Sequence, residues 1–258
     1  MAAALAGRAA VVTGGGRGIG AAVAASLVEA GAAVMVAARH ANEIKSVALK
    51  LRERGGRAFM CACDVIQEAD VRRLGERARA ELGSVDILVN NAGAGDSAPF
   101  GRITLEAWNR MLAVNATSAF LCTREFVPDM VSRGWGRVIN VASRAGIEGA
   151  RYVAHYSASK HALVGLTRSV ALEVEGRGVT VNAVCPGYVD TPMTAETIAN
   201  VEARTGKSHD QAMAAVLATT GQARLLSAAE VAAAVLALCS EGATTNGQVI
   251  MVPAENSR

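Results

Sequence analysis

The sequence predicts an α/β chain of repeated strand–helix–strand units on a parallel sheet, and three observations lead there. Short β-branched runs alternate with longer Ala/Leu-rich amphipathic stretches, the mark of successive βαβ units. Hydrophobic residues make up 51% of the 258 residues and aromatics only 3%. The core must therefore be filled by Ala, Val, Leu and Ile, as where helices pack closely on both faces of a sheet. Glycines also follow the helical stretches, at Gly31, Gly55, Gly83 and Gly176, where a helix end calls for a left-handed residue.

In chain order, the apolar start MAAALAGRAAVV carries a lone Arg8 and runs straight into a glycine-rich string. It reads as the lead into a first strand, Ala9–Thr13, and not as a leader peptide. A helix over Gly20–Ala30 follows, then a strand at Ala33–Ala37, a helix at Asn42–Arg54, a strand at Arg57–Cys61 and a helix at Glu68–Leu82. The second half continues with a strand at Ile87–Asn90, one long helix over Leu105–Arg133, a strand at Arg137–Val141, a helix at Tyr152–Glu175 and a strand at Thr180–Val184. A helix at Ala228–Ser240 and a strand at Val249–Met251 close the series. Between Pro192 and Leu225 the apolar residues Met193, Ile198, Val201, Met213, Val216 and Leu217 recur at spacings of short amphipathic helices. An insertion of that kind, residues 192–225, reads as a substrate lid. No linker, repeat or low-complexity segment interrupts the pattern, so one domain over residues 1–258 is expected.

Composition also excludes. The formal net charge is +3 with no run of five like charges, which argues against a nucleic-acid partner. No stretch reaches the ~18 apolar residues of a membrane helix, and a cytoplasmic protein is expected. The five cysteines are odd in number and scattered, as fits reduced thiols. Cys61 and Cys63 lack a second Cys or His pair nearby, so no metal site is expected.

The string TGGGRGIG, Thr13–Gly20, stands between the first strand and the first helix. Gly14, Gly18 and Gly20 permit a tight turn and close backbone approach, and with Arg17 and Ile19 they aim a helix N-terminus at an anionic diphosphate. The second strand ends in VMVAARH, with no carboxylate before Glu43. An acidic residue there would bond an adenosine 2′-hydroxyl, whereas Arg39, with Arg17, can meet a 2′-phosphate. NADP(H) is expected ahead of NAD(H), the alternative being that both arginines are solvated. Asp64 either caps the turn after the third strand or accepts from the adenine amine. Asn91, Ala92 and Gly93, after the fourth strand, either let a ribose lie against the backbone or form a plain turn.

Tyr156 and Lys160 are four residues apart in YSASK, on one face of a helix, where the ammonium is expected to lower the tyrosine pKa toward neutrality. Such a phenol can trade protons with a carbonyl or alcohol. Ser143 lies thirteen residues upstream, at a strand end. Taken singly, these are a buried tyrosine, a solvated lysine and a cap; together they read as half of a redox site. His155 reads as a solvent-facing histidine on the pocket rim, with a second acid as the alternative. Ser157, Ala158 and Ser159 read as packing residues.

TGGGRGIG, CDV, NNAG, Asn115 in MLAVNATSAF, Ser143, YSASK and VCPGYVDTP occur in this order, and the chain resembles the short-chain dehydrogenase/reductase family of single-domain type over nearly its whole length. The run from YSASKH to VCPGYVDTPM is similar in particular to bacterial polyketide ketoreductases and β-ketoacyl reductases. The resemblance implies a Rossmann-like, doubly wound, seven-stranded parallel sheet with helices on both faces. It implies a catalytic tetrad in which Tyr156 gives its proton to the carbonyl oxygen and Ser143 hydrogen-bonds that oxygen. In the same tetrad Lys160 holds the nicotinamide ribose and Asn115 holds a water for proton resupply. It further implies Asp64 and Val65 at the cofactor, Pro186 and Gly187 in a turn, and Val189 and Thr191 against the nicotinamide carboxamide and diphosphate.

The implied reaction moves hydride between nicotinamide and a ketone or secondary alcohol, the substrate being a hydrophobic β-ketoacyl thioester or a cyclic ketone. Arg144, Arg151, Arg204 and Lys207 are solvated or meet the phosphates of a coenzyme A or carrier tether. The alternatives are an NAD-dependent catabolic alcohol dehydrogenase and a nonenzymatic NADP(H)-binding regulator. A homotetramer is implied, although GQVIMV is followed by PAENSR, where the family commonly has a glycine pair at its subunit-facing edge.

Overall fold

The buried apolar runs pair into one sheet, and the computed structural model describes residues 4–253 of the chain. Strands β1 (Ala9–Thr13), β2 (Ala33–Ala38), β3 (Ala58–Ala62), β4 (Ile87–Asn90), β5 (Gly136–Val141), β6 (Val179–Cys185) and β7 (Val249–Met251) stand in the order β3-β2-β1-β4-β5-β6-β7. All six pairings are parallel. Strands β1, β4, β5 and β6 are buried at every residue, which is why they read as continuous apolar runs and not as alternation.

Helices α1 (Gly18–Glu29), α2 (Ala41–Glu53) and α9 (Ala228–Cys239) cover one face, where Val23, Leu27, Ile44, Val231 and Val235 share a core with β1 and β2. Helices α3 (Glu68–Leu82) and α5 (Ser118–Arg133) cover the other, where Val71, Leu74, Phe126 and Met130 pack together. The chain winds outward from β1 in one direction through β3 and in the other through β4 to β7. The winding reverses between β1 and β4, and the crevice at the strands' C-terminal ends beside that reversal is where such sheets bind ligands.

Two differences from the expected elements bear on the site. The helix expected over Leu105–Arg133 is α4 (Leu105–Leu112), a π-turn at Ala113–Thr117 and then α5. An extra residue per turn leaves no trace in an apolar period, and it lies at Asn115, as such bulges often lie at functional positions. Helix α6 (Ala154–Glu173) begins two residues later than expected, because Tyr152 takes a left-handed backbone (φ 66°) and Val153 has a non-helical one. Residues 192–225 form α7 (Pro192–Thr205) and α8 (His209–Ala218), packed on each other through Ile198, Ala212 and Val216. Pro253 follows β7, and the last five residues of the atypical tail lie outside the described residues.

Candidate active site

The floor of the cleft is built from backbone. After Thr13 the chain turns at Gly14 (φ 63°), where a β-carbon would stand 2.8 Å from Asn91 Nδ2. A β-carbon on Gly20 would collide with the Gly14 carbonyl. Thr13 Oγ1 accepts the N–H groups of Asn91 and Ala92, each at 3.1 Å, and donates to Val89 O. Asn91 Nδ2 donates back to the carbonyls of Thr13 and Gly14 at 3.0 and 3.1 Å. The Asn91 side chain therefore clamps the glycine turn to β4, while Ala92 and Gly93 continue along the cleft wall. Helix α1 has no side-chain cap and no acidic residue in its first turn, so its first N–H groups, left without intrahelical partners, suit an anionic diphosphate. Thr191, the cap of α7, comes within 3.3 Å of where a Gly18 β-carbon would be, which closes that end around a narrow backbone channel. The cradle fits a dinucleotide.

The cleft, of about 570 Å³, runs from Gly14, Arg17, Gly18 and Ile19 past Arg39, Asp64 and Val65 to Ser143 and Tyr156. Arg39 is exposed on its rim. Arg17 is 67% exposed and 3.9 Å from Glu43, which also lines the cleft. Asp64 Oδ1 accepts weakly from Ile66 N at 3.4 Å, a turn cap, and the residue lines the cleft as well, so its two readings are compatible.

The catalytic end is built from side chains. Ser143 follows β5; its Oγ accepts from Ala145 N at 3.1 Å, and it lines the cleft together with Tyr156. Lys160, one turn along α6, donates from Nζ to Val141 O at 2.9 Å and stands 5.9 Å from the Tyr156 ring centre. Asn115 is buried, its Oδ1 accepting from Ala94 N at 3.0 Å and its Nδ2 donating to Ala94 O and Ser159 Oγ at 2.9 and 3.0 Å. Ser159 Oγ in turn donates to Tyr156 O at 2.7 Å. Gly93 leaves the gap between Asn115 and Lys160: a β-carbon there would be 2.8 Å from Asn115 Oδ1 and 3.6 Å from Lys160 Nζ.

Electrostatics correct one expectation. Lys160 does not lower the tyrosine in the protein alone: burial pushes the Tyr156 phenol up, and the Ser143 hydrogen bond offsets this only in part. The same burial brings the Lys160 ammonium down to about 8. Both groups lose water, and the ammonium faces a carbonyl, not the phenol oxygen.

The turn after β6 closes the site. Arg144 N donates to Pro186 O at 3.0 Å. The Gln222 amide lies against Gly187, accepts from Tyr188 N at 2.7 Å and donates to Tyr188 O at 3.1 Å. Val189 is buried and bridges to Leu226. The Arg144 guanidinium donates to Thr220 O and to Glu148 Oε2, and Arg204 reaches Ser97 O at 3.3 Å. Arg151 and Lys207 are exposed.

His155 corrects a second expectation. It is 1% exposed, not solvent-facing, with Nε2 3.6 Å from Asp96 Oδ2. Ser159 is fully buried, as a packing residue would be, and also holds Asn115. Thr13, Gln222 and Asp96 were not singled out from the sequence. Thr13 heads the glycine string and was legible there; nothing local marks the other two.

All five cysteines are free and buried. Among the described residues there is no cluster of three metal-ligating side chains and no helix long and apolar enough to cross a membrane.

Against known proteins, the short chain dehydrogenase family model matches residues 8–202. The cis-4-hydroxycyclohexanecarboxylate dehydrogenase of Sinomonas cyclohexanicum is 42% identical over 79% of this chain and 82% of its own length. The 3-oxoacyl acyl-carrier-protein reductase of Aquifex aeolicus is 35% identical over 96% of each chain. A solved structure of a variant actinorhodin polyketide ketoreductase with NADPH superposes with a TM-score of 0.91 at 35% identity, covering 98% of each chain.

Proposed function

The chain is an oxidoreductase of the short-chain dehydrogenase family, and from that premise we propose that it interconverts a cyclic ketone and its secondary alcohol with NADP(H). The observation that carries this reading is the meeting of Ser143, Tyr156 and Lys160 at one end of the cleft, with the Lys160 ammonium 5.9 Å from the Tyr156 ring centre. The bound nicotinamide supplies or accepts the hydride. Tyr156 gives its proton to the substrate oxygen, and Ser143 donates to the same atom. Two donors already held in place stabilise the charge growing on that oxygen without reorganising.

Lys160, next to the gap at Gly93, holds the ribose hydroxyls. Gaining those acceptors favours its charged form further, and Tyr156 is then eased toward release of its proton. The side chain of Asn115 is engaged by Ala94 and Ser159, so its main-chain carbonyl in the π-turn is the group assigned to the water that resupplies the proton. Gly14, Gly18, Ile19 and Gly20 take the diphosphate, Asn91 clamps their turn, and Asp64 and Val65 meet the adenine. Ala92 and Gly93 line the ribose, and Pro186, Gly187, Val189 and Thr191 border the nicotinamide.

Preference for NADP(H) rests on Arg17 and Arg39 at the adenosine end; Glu43, close to Arg17, is the group that works against it. A cyclic ketone is favoured over a tethered thioester because Arg144 is bonded to Thr220 and Glu148 and is not free for a tether phosphate. The ring in the name of the cis-4-hydroxycyclohexanecarboxylate dehydrogenase points the same way, whereas the acyl-carrier-protein reductase supports the thioester. The chain would act as one domain with α7 and α8 as its lid. It would be a cytoplasmic homotetramer, and Phe120 on α5 and Leu172 on α6 are large apolar side chains left exposed.

The test is oxidation of NADPH and of NADH against cyclic ketones and β-ketoacyl thioesters. NADPH turnover with cyclic ketones is expected. Turnover with NADH alone would favour the catabolic dehydrogenase, and tight NADPH binding with no turnover of any ketone would favour the regulator.

A further inference from the structure

Opposite the catalytic hydroxyls, the loop after β4 carries a polar group that the reduction itself does not use. Asp96 lines the cleft with 37% of its side chain exposed. Its Oδ1 accepts from Ser97 N at 2.8 Å, and its Oδ2 accepts from Arg110 Nη2 at 2.9 Å. Behind it, His155 is buried with neither ring nitrogen hydrogen-bonded among the described residues, and its Nε2 is 3.6 Å from Asp96 Oδ2. Leaving such nitrogens dry is costly, and a movement of a few tenths of an ångström would bring the imidazole into bonding range of the carboxylate.

The same loop touches α7, the first of the two helices assigned to the lid. Met193 Sδ lies 3.3 Å from where a Gly95 β-carbon would be, and Arg204 bonds Ser97 O. Its other end is pinned by Asn115 through Ala94. Asp96 therefore sits where the part of a substrate remote from the reacting carbonyl would lie, between Asn115 and α7.

We propose that Asp96, braced by Arg110 and backed by His155, recognises a hydroxyl carried by the ketone substrate, making the substrate a hydroxylated cyclic ketone. A carboxylate oxygen with unused lone pairs facing the cleft accepts from a hydroxyl, and Arg110 beside it can donate to the hydroxyl oxygen. A carboxylate-bearing substrate is disfavoured, since Asp96 already neutralises Arg110 and would repel a second negative charge. His155 is a positioning residue that acts through Asp96. This subsite presupposes the ketone-reductase reading.

The experiment compares kcat/KM for cyclohexanone, 4-hydroxycyclohexanone and 4-oxocyclohexanecarboxylate with NADPH, in the native chain and in Asp96→Ala, Asp96→Asn and His155→Leu. The native enzyme is expected to prefer the hydroxyketone to cyclohexanone by about 10- to 100-fold, the range of a hydrogen bond to a charged group. Asp96→Ala should remove that preference while keeping cyclohexanone turnover, which reports an intact site, and Asp96→Asn should retain part of it. His155→Leu should reduce the preference through KM and leave cyclohexanone kinetics unchanged. Equal turnover of cyclohexanone and hydroxyketone, a preference for the carboxylate, or a hydroxyl preference that survives Asp96→Ala overturns the subsite and leaves the reductase reading standing. No turnover of any of the three overturns both.

Discussion

The two halves of the cleft are made of different materials. On the β1–β4 side the ligand surface is backbone: glycine turns, helix N–H groups and a clamp in which Thr13 and Asn91 exchange bonds with main chain. On the β5–β6 side it is side chains, Ser143, Tyr156 and Lys160, with Ser159 linking Tyr156 O to Asn115. A surface that only binds can be built from fixed dipoles that hold charge without protonation chemistry. A surface that moves protons needs titratable side chains, and the burial that orients them also shifts them, Tyr156 up and Lys160 down to about 8. Damage to the first half should therefore appear as lost cofactor affinity, and loss of the Ser143 or Tyr156 hydroxyl as lost turnover with affinity kept.

The sharpest break would come from removing the hydroxyls. Ser143→Ala and Tyr156→Phe are each expected to lower kcat by about 10³-fold. In the double variant the losses should not multiply, because the two groups act on one oxygen; steady-state kinetics on the three proteins checks this. Next in size, Gly20→Ala drives a methyl into the Gly14 carbonyl. It should cost about 1–3 kcal/mol of stability by overpacking, read from urea denaturation, together with most of the NADPH affinity. A smaller effect is expected of Thr13→Val, which leaves the N–H groups of Asn91 and Ala92 without their acceptor. NADPH Kd should rise about 10-fold while kcat at saturation stays within about twofold, on the scale of a buried bond left unmade.

Arg39→Ala should lower the NADPH-to-NADH preference by about 10-fold, as for one charge-assisted bond, measured by direct titration with both cofactors. The smallest effect is on stability against pH. Lys160 is held near 8 against an ordinary 10.5, so between those values the unfolded chain binds more protons and this group makes stability rise with pH. The buried thiols, raised from 9.0, act in the opposite sense above pH 9. The difference between the native chain and Lys160→Met isolates the lysine, and it should change between pH 8 and 10.5 and stay flat below.

The same division explains what the sequence disclosed. The sheet, its crossovers and the glycine turn were legible because buried parallel strands and tight turns restrict residue type at contiguous positions. The i,i+4 placement of Tyr156 and Lys160 was legible for the same local reason. The π-turn at Asn115 was not, since an added residue in a helix preserves the apolar pattern on either side. Nor was the burial of His155, which depends on a loop sixty residues earlier folding across it, nor the grip of Gln222 on Tyr188, set by the return of the chain from α8. The expected direction of the Tyr156 shift failed because spacing reports proximity of a charge and says nothing about lost water.

The central claim, that the β1–β4 half binds through backbone while the proton is moved by the hydroxyls of the β5–β6 half, is tested most directly on Tyr156→Phe. NADPH affinity by fluorescence titration and single-turnover hydride transfer to a cyclic ketone would be measured on the same sample. The predicted result is an affinity within about twofold of the native chain and transfer slowed by about 10³-fold. Affinity and transfer falling together, or transfer left at the native rate, would contradict it.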